Sequence, residues 1–263
     1  MTDVNYADVP LLEMKNVRKH YEGVQALKRM NFKVHKGETV GLIGDNGAGK
    51  STLIKIIAGV VPWDGGEVYW NGRKVDIRSV KDARELGIET VFQEQALVDI
   101  LPISSNIFLG REPTMKIGAL NIIDHKRMSR ESIPLLKGLG LRLDSPEKEL
   151  RFCSGGEKQG VAISRAVHYK AGLIILDEPT RGLSILGVQQ VLDFVKKLKE
   201  QGVACIFITH LFQHVYSVAD RFVILSRGMK FLDERKENLS LQDIEEKVVA
   251  ASKGFMPEMG VEA

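Results

Sequence analysis

The segment Gly44-Asp45-Asn46-Gly47-Ala48-Gly49-Lys50-Ser51 constrains this chain more than any other stretch of it. Its spacing is G-x-x-x-x-G-K-[ST], with an apolar run, Glu38–Ile43, leading in and a helical pattern, Lys50–Gly59, leading out. Glycines give the backbone conformations closed to other residues, so successive N–H groups up to Thr52 can converge on one anion. The helix that follows turns its N-terminus, with free donors and a partial positive charge, to the same point. Lys50 can reach the outer phosphates of a nucleoside triphosphate, and the Ser51 hydroxyl can ligate Mg²⁺. A glycine-rich turn before a helix is the competing reading, and the strand–loop–helix setting disfavours it.

The rest of the chain alternates in the way such a loop requires. Leu11–Val17, Met30–Val34 and Ile88–Phe92 read as strands, and Ser79–Leu86 as a helix. Glu67–Trp70 and Lys74–Ile77 read as a hairpin, because Asn71-Gly72 suits a type I′ turn. From about Gln93 to Lys170 the pattern is helical, with candidates Ser105–Leu109, His125–Leu139 and Ser154–Tyr169. Strands Leu173–Leu176, Val203–Ile208 and Phe222–Leu225 then alternate with helices Leu186–Gln201 and Leu211–Ala219, and Leu241–Ser252 is a terminal helix. This order predicts an α/β fold with a helical insert, since so long an excursion must be structured.

Composition removes several classes. At 263 residues, 44% hydrophobic and 27% charged, the chain is neither disordered nor fibrous. A net charge of +3 is too small to argue for nucleic acid as the main ligand. Cys153 and Cys205 cannot make a disulfide framework and read as reduced, cytosolic thiols. The first residues, MTDVNYADVP, do not have the pattern of a secretory leader. Gln201–Ala219 contains no Asp, Glu, Lys or Arg and is long enough to span a bilayer. It changes midway from β-branched to helical character and holds His210, Gln213 and His214, so a buried strand and a helix are expected there, with no membrane crossing.

Two further features belong with the loop. Leu173–Leu176 runs into Asp177 and Glu178, and strand ends are where open α/β sheets bind ligands. Asp177 would hold Mg²⁺, directly or through water, and Glu178 would act on the water that attacks the γ-phosphorus. Val203–Ile208 runs into Thr209-His210, and His210 could contact the γ-phosphate. A structural role is the second reading of His210, and a metal-binding H-E-x-x-H helix with His214 a distant third, since Leu211 stands where Glu is needed.

Ser154-Gly155-Gly156-Glu157-Lys158-Gln159 opens another helix with bare N–H donors. One nucleotide needs a single such device, so the second suggests a site completed by another copy. With these motifs in order, about residues 10–235 resemble the ATP-binding subunits of ATP-binding-cassette transporters. The resemblance implies a P-loop NTPase core with a mixed sheet, an N-terminal antiparallel β subdomain and an inserted helical subdomain. It divides the chain into a core at 10–92 and 171–235, a helical subdomain at 93–170 and a C-terminal helix and tail at 236–263. It makes Ser154, Gly155 and Gly156 the signature that meets the γ-phosphate on the opposite subunit. Asp177 becomes the Mg²⁺ ligand, Glu178 the catalytic glutamate and His210 the switch histidine. Gln93 becomes the glutamine that approaches Mg²⁺ and couples to a permease, and Tyr21 the aromatic that stacks on adenine.

A finer likeness, in Gln93–Val98 and Asn106–Pro113, is to the ribose/xylose/fructose-type branch of carbohydrate importers. It implies Mg-ATP hydrolysis on the cytoplasmic face of the membrane, a permease docked near Gln93, a second copy or related ATPase subunit, and indirectly a substrate-binding protein. Three positions depart from the family pattern: Cys153 for Leu, Glu157 for Gln and Ser184 for Asp. A soluble cassette acting on ribosomes or DNA is the rival class, and it fits poorly because neither a second cassette nor a coiled-coil insert is present. A regulatory module that binds ATP without hydrolysing it is disfavoured by the intact Lys50, Asp177, Glu178 and His210.

Overall fold

The computed structural model describes residues 9–92, 97–141 and 144–253. In chain order they form β1 (Leu12–Tyr21), β2 (Val24–Val34), β3 (Thr39–Ile43), α1 (Lys50–Ile57), β4 (Gly65–Trp70), β5 (Arg73–Val75), α2 (Val80–Glu85) and β6 (Ile88–Val91). There follow α3 (Ile103–Phe108), β7 (Thr114–Ile117), β8 (Leu120–Ile123), α4 (His125–Gly138), α5 (Gly155–His168), β9 (Leu173–Asp177), α6 (Ile185–Glu200) and β10 (Ala204–Ile208). α7 (Phe212–Val215), β11 (Arg221–Ser226), β12 (Met229–Arg235) and α8 (Leu241–Lys253) complete the order.

Six strands make the main sheet, in the order β12-β11-β3-β10-β9-β6, all parallel except β12, which pairs antiparallel with β11. Its central strands read as continuous apolar runs because helices or a second sheet cover both faces. Phe32, Leu53, Ile57, Ile175 and Ile206 share one core, which joins α1 and the four-stranded antiparallel sheet β2-β1-β4-β5 to one face. Ile107, Val161, Val195 and Phe207 share the other core, where the remaining long helices pack. The expected mixed sheet, antiparallel N-terminal sheet and helical insert are therefore all present. The β4–β5 turn is as read: Asn71 and Gly72 both take positive φ, 50° and 74°, as a type I′ turn demands.

Four elements differ from the sequence reading. The segment expected to be helical contains the hairpin β7–β8, whose residues are all exposed. With no face in a core, it has no alternation to betray it. β12 is equally inconspicuous, a half-buried strand with the charged sequence MKFLDER. The helix expected over Leu211–Ala219 shrinks to α7, and the uncharged stretch becomes buried β10 followed by that single turn. Among the described residues no helix is long and apolar enough to cross a membrane.

Candidate functional site

The sheet order decides where the site lies. β3, β10 and β9 are adjacent and parallel, with Ile208 paired to Leu42 on one side and to Asp177 on the other. The loop after β3, the Thr209-His210 pair after β10 and the Asp177-Glu178 pair at the end of β9 therefore emerge together on one edge.

The loop is tightly specified. A Cβ on Gly44 would lie 2.5 Å from the Leu225 carbonyl oxygen, and one on Gly49, whose φ is 104°, would lie 2.9 Å from that of Ala26. Neither position tolerates a side chain. Gly49 also caps α1 with no side-chain acceptor, so the first N–H donors of the helix stay open to a ligand. Beyond the loop lies a cavity of about 510 Å³, lined by residues 45–52 and walled by Val24, Gln25 and Ala26 of β2. Lys50 folds back over the loop, its ammonium donating to the carbonyls of Gly44 and, at 3.0 Å, Asp45. Burial lowers its pKa, opposed by the charges of Glu178, Asp45 and Asp177. A half-buried ammonium whose partners are carbonyls is well placed to exchange them for phosphate oxygens.

Glu178 is held in an unusual backbone state, φ 50°, which costs a non-glycine residue about 1–2 kcal/mol. Its N–H donates to the Ile208 carbonyl at 2.9 Å, fixing the turn to the neighbouring strand. One carboxylate oxygen accepts from the His210 N–H at 3.2 Å and meets the His210 Nδ1 at 2.8 Å. The other accepts from the Thr209 hydroxyl at 3.4 Å. Sequence reasoning missed Thr209; the available signal was a hydroxyl residue between a strand and a helix, whose oxygen also accepts the Leu211 N–H at 2.9 Å. His214 turns elsewhere, its Nδ1 3.1 Å from the Thr180 hydroxyl. His210 and His214 thus diverge, and among the described residues no group of three or more His, Cys, Asp or Glu could hold a metal by itself.

A cation at this edge would need oxygens from a ligand, which is how Mg²⁺ is usually held. The donors fit it. Burial raises the Asp177 pKa, with the neighbouring Glu178 charge adding to it, and Lys50 and Lys55 only partly offset them. Such a carboxylate is short of positive charge. Because its folded-state pKa lies above the unfolded value, the ligand-free fold loses stability as pH rises through that interval. Asp177→Asn does not titrate, so its melting temperature without ligand should exceed that of the parent at neutral pH, and the difference should vanish in acid. Calorimetry at two pH values checks this; a lower melting point at neutral pH would contradict it.

Ser154 is the N-cap of α5 in a reciprocal capping box. Its hydroxyl accepts from the Glu157 N–H at 3.3 Å, and the Glu157 carboxylate accepts from the Ser154 N–H at 2.7 Å. This explains Glu157, and the S-x-x-E spacing was legible in advance. Gly155 and Gly156 have an intrachain packing role as well, since a Cβ would come within 2.7 Å of Leu183 on the first and 2.1 Å of the Gln190 side-chain oxygen on the second. Ser184 caps α6 by accepting from the Gly187 N–H at 3.2 Å, which accounts for that departure too. Cys153 is buried in the core, and burial raises its thiol pKa, so it is a filler and not a nucleophile. Tyr21 sits at the tip of the β1–β2 hairpin, 40% exposed and paired with Val24 of the cavity wall. Gln93 lies outside the described residues.

The profile of the ABC transporter family matches residues 27–181. The chain is 42% identical over 244 residues to the xylose/arabinose import ATP-binding protein of Sulfolobus acidocaldarius, covering 93% of this chain and 96% of that one. It is also 42% identical, over 219 residues, to a ribose import ATP-binding protein of Rubrobacter xylanophilus, covering 83% of this chain and 43% of the relative. It therefore spans nearly all of the first relative and less than half of the second. Among solved structures, an ATP-binding cassette of an ABC transporter in its ADP conformation superposes with a TM-score of 0.82 at 24% identity, over 93% of this chain and 99% of that one. A dimeric cassette bound to ADP and phosphate superposes with a TM-score of 0.69 at 28% identity, over 86% and 98%.

Proposed function

The chain belongs to the ABC transporter family, and from that premise we propose that it is the ATP-hydrolysing subunit of a membrane importer whose cargo is a monosaccharide. The observation that carries this reading is the meeting of the glycine loop, Asp177-Glu178 and His210 at three adjacent strand ends. The sugar follows from the import proteins that the chain resembles, and the cargo itself never touches this subunit.

Lys50 and the N-terminal N–H groups of α1 hold the phosphates of ATP, and Tyr21 stacks on its base. Ser51 and Asp177 would hold Mg²⁺, with Gln93 as a further ligand, and the ion would supply positive charge to the phosphate oxygens. Glu178 accepts the proton of the attacking water, and its twisted backbone keeps the carboxylate over the strand ends. In the structure that carboxylate is already engaged by Thr209 and His210, so turnover requires His210 to leave Glu178 for the γ-phosphate. Ser154, Gly155 and Gly156 close over the γ-phosphate bound to the other subunit. Two ATP molecules buried in this way hold a dimer together, and hydrolysis releases it. A permease docked near Gln93, on the cytoplasmic face of the membrane, turns that closure into alternating access.

The direct test is Mg-ATP hydrolysis by the purified chain as a function of its own concentration. A site shared between two copies gives a rate rising with the square of concentration while the dimer is scarce. A rate strictly linear from the lowest concentration, in a chain that sizing with ATP shows to be monomeric, would overturn the shared site.

A further inference from the structure

We propose that Lys19 and Asp64 are positioning residues for Tyr21 and set the affinity for the purine base; the inference rests on Tyr21 being the base-stacking residue. The side chains of Lys19 and Tyr21 are two apart on β1, and the Lys19 ammonium lies 5.5 Å from the centre of the Tyr21 ring, within cation–π reach. Lys19 is only 8% exposed, an unusual place for a lysine, and a buried ammonium needs a partner. Asp64, in the loop before β4, supplies it: one carboxylate oxygen accepts from the Lys19 ammonium at 2.9 Å. The other accepts from the His20 N–H at 2.6 Å, and the Asp64 N–H donates to the Arg18 carbonyl at 2.8 Å. Asp64 therefore grips three consecutive residues immediately before Tyr21. The Lys19 hydrogen bond, with that from the His20 N–H, lowers the pKa of its carboxyl group, so the anchor stays ionised at neutral pH.

The consequence falls on the ring. A tyrosine at the tip of a hairpin would otherwise lose rotamer freedom each time a base arrived. Here the ammonium occupies one side of the ring and restrains it before ligand arrives, which raises affinity without adding a contact to the ligand. A cation on one side also draws π density away from the other, which favours stacking by an electron-rich purine there. The triphosphate contacts, made by the loop after β3, are separate from this support.

The test measures the affinity of the full chain for Mg-ADP and for inorganic tripolyphosphate with Mg²⁺. Lys19→Met keeps the stem and removes the charge; it should weaken Mg-ADP roughly three- to fivefold, the size of an exposed cation–π contact, and leave tripolyphosphate within twofold. Lys19→Arg should restore Mg-ADP affinity, and Asp64→Asn should weaken it in the same direction as Lys19→Met. Tyr21→Ala serves as the reference and should weaken Mg-ADP roughly tenfold by loss of stacking. If Tyr21→Ala loses affinity and Lys19→Met does not, the support is overturned while the stacking stands. If Tyr21→Ala binds Mg-ADP like the parent, the stacking fails and the support with it. Equal losses for Mg-ADP and tripolyphosphate in Lys19→Met would mean a damaged fold and would also overturn the proposal.

Discussion

Lys50→Ala should abolish tight nucleotide binding, with the dissociation constant for Mg-ATP rising roughly a hundredfold or more, as expected when charge-assisted contacts to phosphate are lost. The magnitude follows from what surrounds the side chain. Asp45, Asp177 and Glu178 all act electrostatically on the Lys50 ammonium, so its removal leaves three carboxylates facing an arriving polyphosphate. The loop glycines and the open N-terminus of α1 persist in the variant, but their partial charges cannot offset that repulsion. Titration with a fluorescent ATP analogue reads the change. An affinity equal to that of the parent would remove the phosphate-cradle assignment of residues 44–52.

The second large effect is kinetic. Glu178→Gln should bind Mg-ATP as the parent does and lose roughly a thousandfold in turnover, within the range for removal of a general base. The amide oxygen can still accept from the His210 N–H, so the geometry of the turn survives while the proton acceptor is gone. ATP then stays intact between two copies, and sizing with Mg-ATP should show a persistent dimer. A variant that hydrolyses at the parental rate removes Glu178 from catalysis. One that remains monomeric under Mg-ATP contradicts closure across two subunits.

Much of the site was legible because its residues are consecutive. A strand, six residues of loop and a helix start define the cradle locally, and the structure bears out that strand–loop–helix order. The Asp177-Glu178 pair and His210 were visible because each follows a run of buried apolar residues, the mark of a strand covered on both faces. What escaped notice lacked such a mark. β7 and β8 bury no side chain in the core, and β12 is half-buried along most of its length with charges at Lys230 and Asp233–Arg235, so neither carries a hydrophobic period. Thr209 and Lys19 escaped for another reason: their partners, Glu178 and Asp64, are 31 and 45 residues away.

By itself, the sequence determined the local chemistry: a glycine loop that can close around an anion, carboxylates and a histidine at strand ends, and a pair of glycines opening a helix after Ser154. These depend on backbone conformations and spacings of a few residues, which a chain encodes directly. Only the tertiary structure decided that β3, β10 and β9 are neighbours, because strand order is set by packing between distant segments and not by any local pattern. That order brings Lys50 within the electrostatic reach of Asp177 and Glu178 and lets the Ile208 carbonyl hold the strained turn at Glu178. The packing of α5 against α6 and the loop before it puts Gly155 and Gly156 against Leu183 and Gln190, giving two glycines that read as an anion site a second reason to be small.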